Sequence, residues 1–295
     1  MAVRARQHIR RMRGGANAHL LLADDDQYYV VKFSNNPQHR RVLVNEAICY
    51  VVLDYLGLPT PGWEVVEVPQ ALIDLDPALC MTQGREPQPC AAGLQFGSRF
   101  PLDPTKQAVY DYVPVSMLRE LLNRRTFLGM LAFDKWISNA NGRQAVFFRT
   151  RAKGWLDPAE EEAEISPRSL VYVANFIDHG FAFNAHHWTF SDGPAQGLYP
   201  RREVYEEVRG LESFEPWLSR IENLPTEVLD DAYRLIPADW YGREFDAIED
   251  LLERLHGRRN RTADLLTKAR FVSGNPFPHW GGMSDPKRFH RGSSQ

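Results

Sequence analysis

The stretch that most constrains the fold is Leu131 to Arg149, LAFDKWISNANGRQAVFFR. It joins an apolar helix end to an apolar strand through a short polar turn, Asn139-Ala140-Asn141-Gly142-Arg143-Gln144. A turn placed between a helix and a strand presents polar side chains at the edge of a core, where chemistry can be done. The turn carries three carboxamides, Asn139, Asn141 and Gln144, and no acid. The lack of an acid there decides what activity to expect.

Composition narrows the class. With 43% hydrophobic and 12% aromatic residues, the 295-residue chain can bury a sizeable core and is long enough for one large domain or two lobes. Lys and Arg number 35 against 38 Asp and Glu, a net charge of -3, which argues against a dedicated nucleic-acid binder. Cys49, Cys80 and Cys90 share no CxxC spacing, and an odd count reads as reduced thiols. The basic start MAVRARQHIRRMRGG lacks an apolar signal segment, and no long apolar run follows. A cytoplasmic protein with no membrane partner is expected.

Two adjacent glycines, Gly14 and Gly15, precede Ala16, Asn17 and the strand that begins at Leu20. Such a pair lets backbone N–H groups turn toward a phosphate, although a plain turn reads the same way. Gln27 to Phe33 reads as the second arm of a hairpin, with Tyr28, Val30 and Lys32 on one face. A lysine late in an apolar strand needs water or a partner. The next helix, from about Asn35 to Leu56 and stopped by Gly57, is apolar on both sides, and Glu46 is the only carboxylate in its middle turns. Lys32 is the obvious cation for it. After Trp63 to Val68 and a Pro- and Gly-rich loop at residues 84–89, Ala91 to Phe100 reads as a strand leading to a lobe boundary near Pro101 to Pro104.

Beyond that boundary the pattern is helical through Leu131. Asp134 and Lys135, beside Trp136, read as a solvated or locally paired face of this helix in preference to a catalytic pair. Following the strand Ala145 to Arg149 and an acidic insert at 157–167, Leu170 to Ile177 runs into Asp178-His179-Gly180, an acid at a strand end before a glycine turn. The adjacent His186 and His187 are expected on opposite faces, and Thr189 and Ser191 are candidate modification sites. Four further helices lie between Arg202 and His256. The run from Arg258 reads as solvated, and the Gly-, Pro- and Ser-rich chain from Ser273 reads as a mobile tail.

Glycine turn, strand Lys, helix Glu, polar turn after a helix, strand and Asp-x-Gly stand in one order. In that order, and in its FDKWxxNxDGRQAVF-like turn, the chain resembles the HipA-like serine/threonine kinases over nearly all of residues 10–270. The resemblance implies an α+β, bilobal protein-kinase-like fold, with a β-rich lobe over 1–100, a mostly helical lobe over 101–272 and the tail at 273–295. It further implies ATP with Mg2+ and transfer of the γ-phosphoryl group to a Ser or Thr hydroxyl of a protein, with an antitoxin-like regulator as a possible partner. Carried over, Lys32 holds the phosphates, Glu46 fixes Lys32, position 141 is the catalytic acid, Asp178 binds the metal, and Gly14, Gly15, Ala16 and Asn17 form the phosphate loop. The family's metal-binding Asn falls on Val146, so Gln144 or Asn139 is expected to substitute for it. Because Asn141 cannot accept the hydroxyl proton, the sequence is expected to be inactive, either as an altered form of an active kinase or as a natural pseudokinase. Three alternatives remain: a non-catalytic ATP-binding regulator, a small-molecule or adenylyl transferase on the same fold, and a DNA-binding toxin-antitoxin component resting on the N-terminal arginines.

Overall fold

The structure is a computed structural model and describes residues 2–83, 86–155 and 165–281. Most of the acidic insert and the end of the tail fall outside these residues.

Alternating apolar strands close into a small barrel. In chain order these are β1 (Val3–Arg11), β2 (His19–Ala23), β3 (Tyr28–Lys32), β4 (Trp63–Val68) and, after the hairpin β5 (Cys80–Gln83) and β6 (Glu86–Pro89), β7 (Gly93–Arg99). The strand order around the barrel is β1-β2-β3-β7-β4, and β4 returns to β1 in parallel. Its interior is filled by Leu21, Tyr29, Val31, Phe33, Val66 and Val68. The N-terminal arginines are part of this wall: Arg6 pairs with Asp26 at 2.7 Å, and Arg11 bonds to Asn17 and Thr82. They do not form a separate basic arm.

The helix α1 (Arg41–Leu56) begins later than expected and ends where Gly57 takes φ 68°. A left-handed residue at that position costs glycine little and caps the last turn, here through its N–H to Asp54 and Leu53 carbonyls. Apolar residues surround α1 on nearly every side, and the structure gives it two neighbours. Tyr50 meets Phe96 of β7 with ring centroids 5.6 Å apart, and the opposite side packs into the helical half of the molecule.

A short helix α2 (Gln70–Leu75) covers the barrel. The second half contains a three-stranded antiparallel sheet, β10-β9-β8, of β8 (Val109–Tyr110), β9 (Gln144–Arg151) and β10 (Leu170–Ile177). Around it lie α3 (Val115–Arg119), α4 (Thr126–Trp136), α5 (Trp217–Glu222), α6 (Thr226–Leu235), α7 (Ala238–Tyr241), α8 (Phe245–Arg258) and α9 (Thr262–Ala269). The largest core joins α1, α4, α5, α8 and α9 through residues such as Leu53, Phe133, Trp136, Ile221, Leu255 and Leu266. The architecture is α+β and bilobal, as expected.

Packing corrects three expectations. Arg258 is buried and donates to the Trp136 carbonyl at 3.0 Å, so the run it opens is not a solvated face throughout. His186 and His187 lie in a 3-10 turn and not on a strand, and their rings sit 4.0 Å apart instead of on opposite faces. The described part of the tail packs: Phe277 is buried against Tyr205 and Phe214. Among the described residues no helix is long and apolar enough to cross a membrane.

Candidate active site

A cavity of about 520 Å³ lies where the barrel faces the β9–β10 ribbon. Its roof is the β1–β2 connection, in which the Met12 N–H closes on the Ala18 carbonyl at 2.8 Å and Gly14 takes φ 115°. Gly14, Gly15 and Ala16 line it together with Lys32, Glu46, Asn141, Gln144 and Asp178. Ala18, Val30, Phe96, Val146 and Ile177 supply apolar wall to the same cavity, an apolar slot beside the polar groups.

Strand alternation in β3 puts Val30 and Lys32 on the cavity side, and the helical repeat of α1 turns Glu46 toward them. Lys32 Nζ donates to Glu46 Oε1 and, at 2.6 Å, to Asp178 Oδ1. Both Lys32 and Glu46 are buried. Burial is the strongest influence on the ammonium and would lower its pKa, but Asp178 and Glu46 together reverse it and hold the pKa above its ordinary value. For Asp178, burial again acts first and upward; Lys32, Arg143 and the Gln144 hydrogen bond outweigh it and leave the carboxyl below its ordinary range. Lys32 is therefore a cation and Asp178 an anion at neutral pH.

Asp178 sits at the end of β10 with φ 61°, and its second oxygen accepts from Gln144 Nε2 at 2.6 Å. Gly180 follows because nothing larger fits. A Cβ at that position would lie 2.6 Å from Val42 Cγ1 and 3.4 Å from Glu46 Oε1, so the turn reaches α1 only as glycine.

The 139–144 turn is held from below by a buried ion pair that sequence reasoning missed. Asp134, read as solvated or locally paired, is fully buried and receives Arg143 Nε at 2.9 Å and a second guanidinium nitrogen on its other oxygen. The third guanidinium nitrogen donates to the Ile177 carbonyl at 3.1 Å and to His179 Nδ1 at 3.0 Å. A guanidinium only donates, so His179 accepts at Nδ1 and carries its proton at Nε2. Burial first, then Arg143 and Lys32, hold this imidazole well below its ordinary pKa and keep it neutral. Arg143 thus ties the turn to the strand end that presents Asp178. The available signal was a charge pair nine residues apart, one member on an otherwise apolar helix.

Two of the expected residues are not on the cavity wall. Asn139 is buried; its amide nitrogen donates to Asp134 at 3.0 Å and its oxygen accepts the Asn141 N–H at 3.1 Å, which shapes the turn and leaves it a poor metal ligand. Asn17 is likewise buried, spending its oxygen on Arg11 and on the Thr82 N–H and its nitrogen on the Gly15 carbonyl. It braces the glycine turn against β5. Gln144 keeps its place at the cavity, whereas Asn141 is exposed at the rim and accepts the Gly142 N–H at 2.9 Å.

Lys135 is also buried, contrary to the sequence reading, and donates to the Pro194 carbonyl at 2.7 Å. Burial, the largest influence, pulls its pKa down to about 8 against the pull of Asp134 and Asp192. In the unfolded chain the amine keeps its proton up to its ordinary 10.5. Between these values the unfolded state binds more protons, so native stability rises with pH through that window. The thermal midpoint of the chain, compared with that of Lys135→Met, is expected to gain on the variant from pH 7.5 to about 10. A gap that stays constant over that range contradicts this assignment.

A barrel carrying Lys32, the helix α1 carrying Glu46 beside it, and a helical half carrying a polar turn and a strand-end Asp together make a protein-kinase-like fold. Comparison with known proteins agrees: residues 6–147 match the family model described as HipA-like kinase. The matched segment is just under half of the chain, and the likeness is to that segment. It spans the glycine turn, Lys32, Glu46 and the 139–144 turn but stops short of Asp178. No curated protein matches the chain. Two solved structures of the Golgi casein kinase superpose on it. One does so at TM-score 0.47 with 11% identity, covering 92% of this chain and 72% of that chain. The other, with Mn/ADP bound, gives 0.43 and 13%, covering 93% and 74%. Likeness at that level assigns neither activity nor ligand.

Proposed function

We propose that this chain is an ATP-dependent, Mg2+-requiring phosphotransferase of the Ser/Thr kinase type in which Asn141 suppresses transfer. The observation that carries the reading is Lys32 bridging Glu46 and Asp178 on the wall of a cavity that also holds the glycine turn and the 139–144 turn. The apolar slot suits a planar base. The backbone at Gly14 and Gly15 and the Lys32 ammonium suit the phosphates, with Glu46 fixing the lysine.

The donor set fits Mg2+ bound together with nucleotide. Mg2+ commonly takes one or two carboxylates plus substrate phosphates, so a cluster of three protein acids is unnecessary, and the described residues contain none. Asp178 and the Gln144 oxygen would hold it, and it would offset charge on the transferred phosphoryl group. In the transfer itself the acceptor oxygen bonds to the γ-phosphorus as the bond to the bridging oxygen of ADP breaks. The acceptor hydroxyl proton must then go to a base at the turn. A carboxylate at 141 could take it; the Asn141 amide cannot.

The acceptor is proposed to be a protein hydroxyl, with an antitoxin-like protein as regulator. A non-catalytic nucleotide-binding regulator is the second reading, motivated by an amide at 141 where transfer needs a base, with Lys32, Glu46 and Asp178 then serving nucleotide-driven docking. A paired transfer assay of the chain and Asn141→Asp with labelled ATP separates the two.

A further inference from the structure

We propose that Asn45 is a positioning residue that fastens the Glu46-bearing helix to the segment after Asp178-His179-Gly180 and so keeps Lys32 and Glu46 paired. The proposal rests on the phosphotransferase reading for its purpose, though not for its test. Asn45 is fully buried, immediately before Glu46. Its amide nitrogen faces three carbonyls, Gly180 at 2.8 Å, Ala182 at 3.1 Å and Ala185 at 3.0 Å, and its oxygen accepts Trp188 Nε1–H at 2.8 Å. The reverse orientation would set oxygen against three carbonyls, so the network itself fixes the amide.

The segment it holds is one the backbone disfavours. Phe183, Asn184, Ala185 and Trp188 have φ of 56°, 56°, 60° and 51° without a glycine among them. Such a run persists only where its surroundings over-determine it. Arg41, one turn earlier on the same face of α1, adds a second fastening: it donates to the His186 carbonyl at 2.8 Å and lies 4.0 Å over the Trp188 ring. Glu46 lies on the adjacent face, against Lys32. A change in residues 182–188 therefore reaches Glu46 through its neighbour Asn45, beside the direct approach of Gly180.

The test is the acylation rate of Lys32 by an amine-reactive ester near pH 8, read by peptide mass spectrometry on the full chain, with surface Lys268 as internal reference. Glu46→Gln sets the scale, since it removes one of the two carboxylates that hold the Lys32 ammonium. Asn45→Asp, which turns an oxygen toward the three carbonyls, is expected to bring the Lys32 rate up to near that of Glu46→Gln. Trp188→Phe, which removes the Nε1–H donor and part of the ring beneath Arg41, is expected to give a smaller rise. Folded Asn45→Asp with Lys32 acylated at the parent rate overturns the proposal. If that variant does not fold, Trp188→Phe at the parent rate overturns it. A purely structural asparagine would lower thermal midpoints and leave the Lys32 rate alone. Because phosphoryl transfer is not read, an inactive Asn141→Asp would defeat the phosphotransferase reading and leave this result standing.

Discussion

Asn141→Asp is expected to convert a chain with little transfer into one that labels protein from ATP in Mg2+, with a gain of about 10²- to 10⁴-fold, the usual worth of a positioned general base. Asn141 is exposed at the rim of the cavity, so a carboxylate there gains a charge without being desolvated. Its neighbours favour the exchange: the Asn141 oxygen already accepts the Gly142 N–H, a bond a carboxylate oxygen makes as well. Nucleotide affinity should change much less, because Lys32, Glu46 and the glycine turn stay as they are. Labelling of a cell extract by the Asp form alone is the expected result. Equal, absent labelling by both forms, with ATP bound by both, would hand position 141 to the regulator reading.

The second large effect concerns stability. Asp134→Ala is expected to cost about 3–5 kcal/mol in denaturant unfolding, because it strands a guanidinium inside the core. The side chains of Asp134 and Arg143 are 0% and 1% exposed, so the guanidinium left behind is shut off from bulk solvent. Replacing both, as Asp134→Leu with Arg143→Met, should recover most of that loss, since a buried ion pair is often matched by apolar residues of similar volume. In the Asn141→Asp background the double variant should still lose transfer activity. Arg143 also holds the Ile177 carbonyl and His179, and methionine can hold neither. Stability restored together with activity would show that the pair serves the core and not the turn.

How much of this was legible beforehand depended on how local the cause was. Lys32, Glu46 and Asp178 are single charges in otherwise apolar strands or helices, and the cost of burying them unpaired marks each one in the sequence. The order of the elements then suffices to bring them together. Asp134 and Lys135 carry the same mark, but side by side near a helix end they imitate a solvent-facing turn, and only the third dimension shows the Arg143 and Pro194 contacts. Asn17 and Asn139 were misplaced for a different reason. An asparagine in a turn reads equally as ligand or brace, and the deciding partners, Thr82 and Asp134, come from other elements. The Asn45 network was invisible because its three carbonyls belong to backbone that no residue type announces.

The placement of α1 has a mechanical consequence. The barrel has its own interior, while α1 shares the core of the helical half. The Lys32–Glu46 contact therefore crosses from the barrel to a helix that shares the other half's core, and Phe96 of β7 is the barrel residue that joins that core. If the barrel rocks like a lid, the lysine travels with the lid and the glutamate stays with the base. Admitting a nucleotide by tilting that lid and dismantling the ion pair would then be one movement, and a ligand that pulls the lid shut would rebuild the site by the same act.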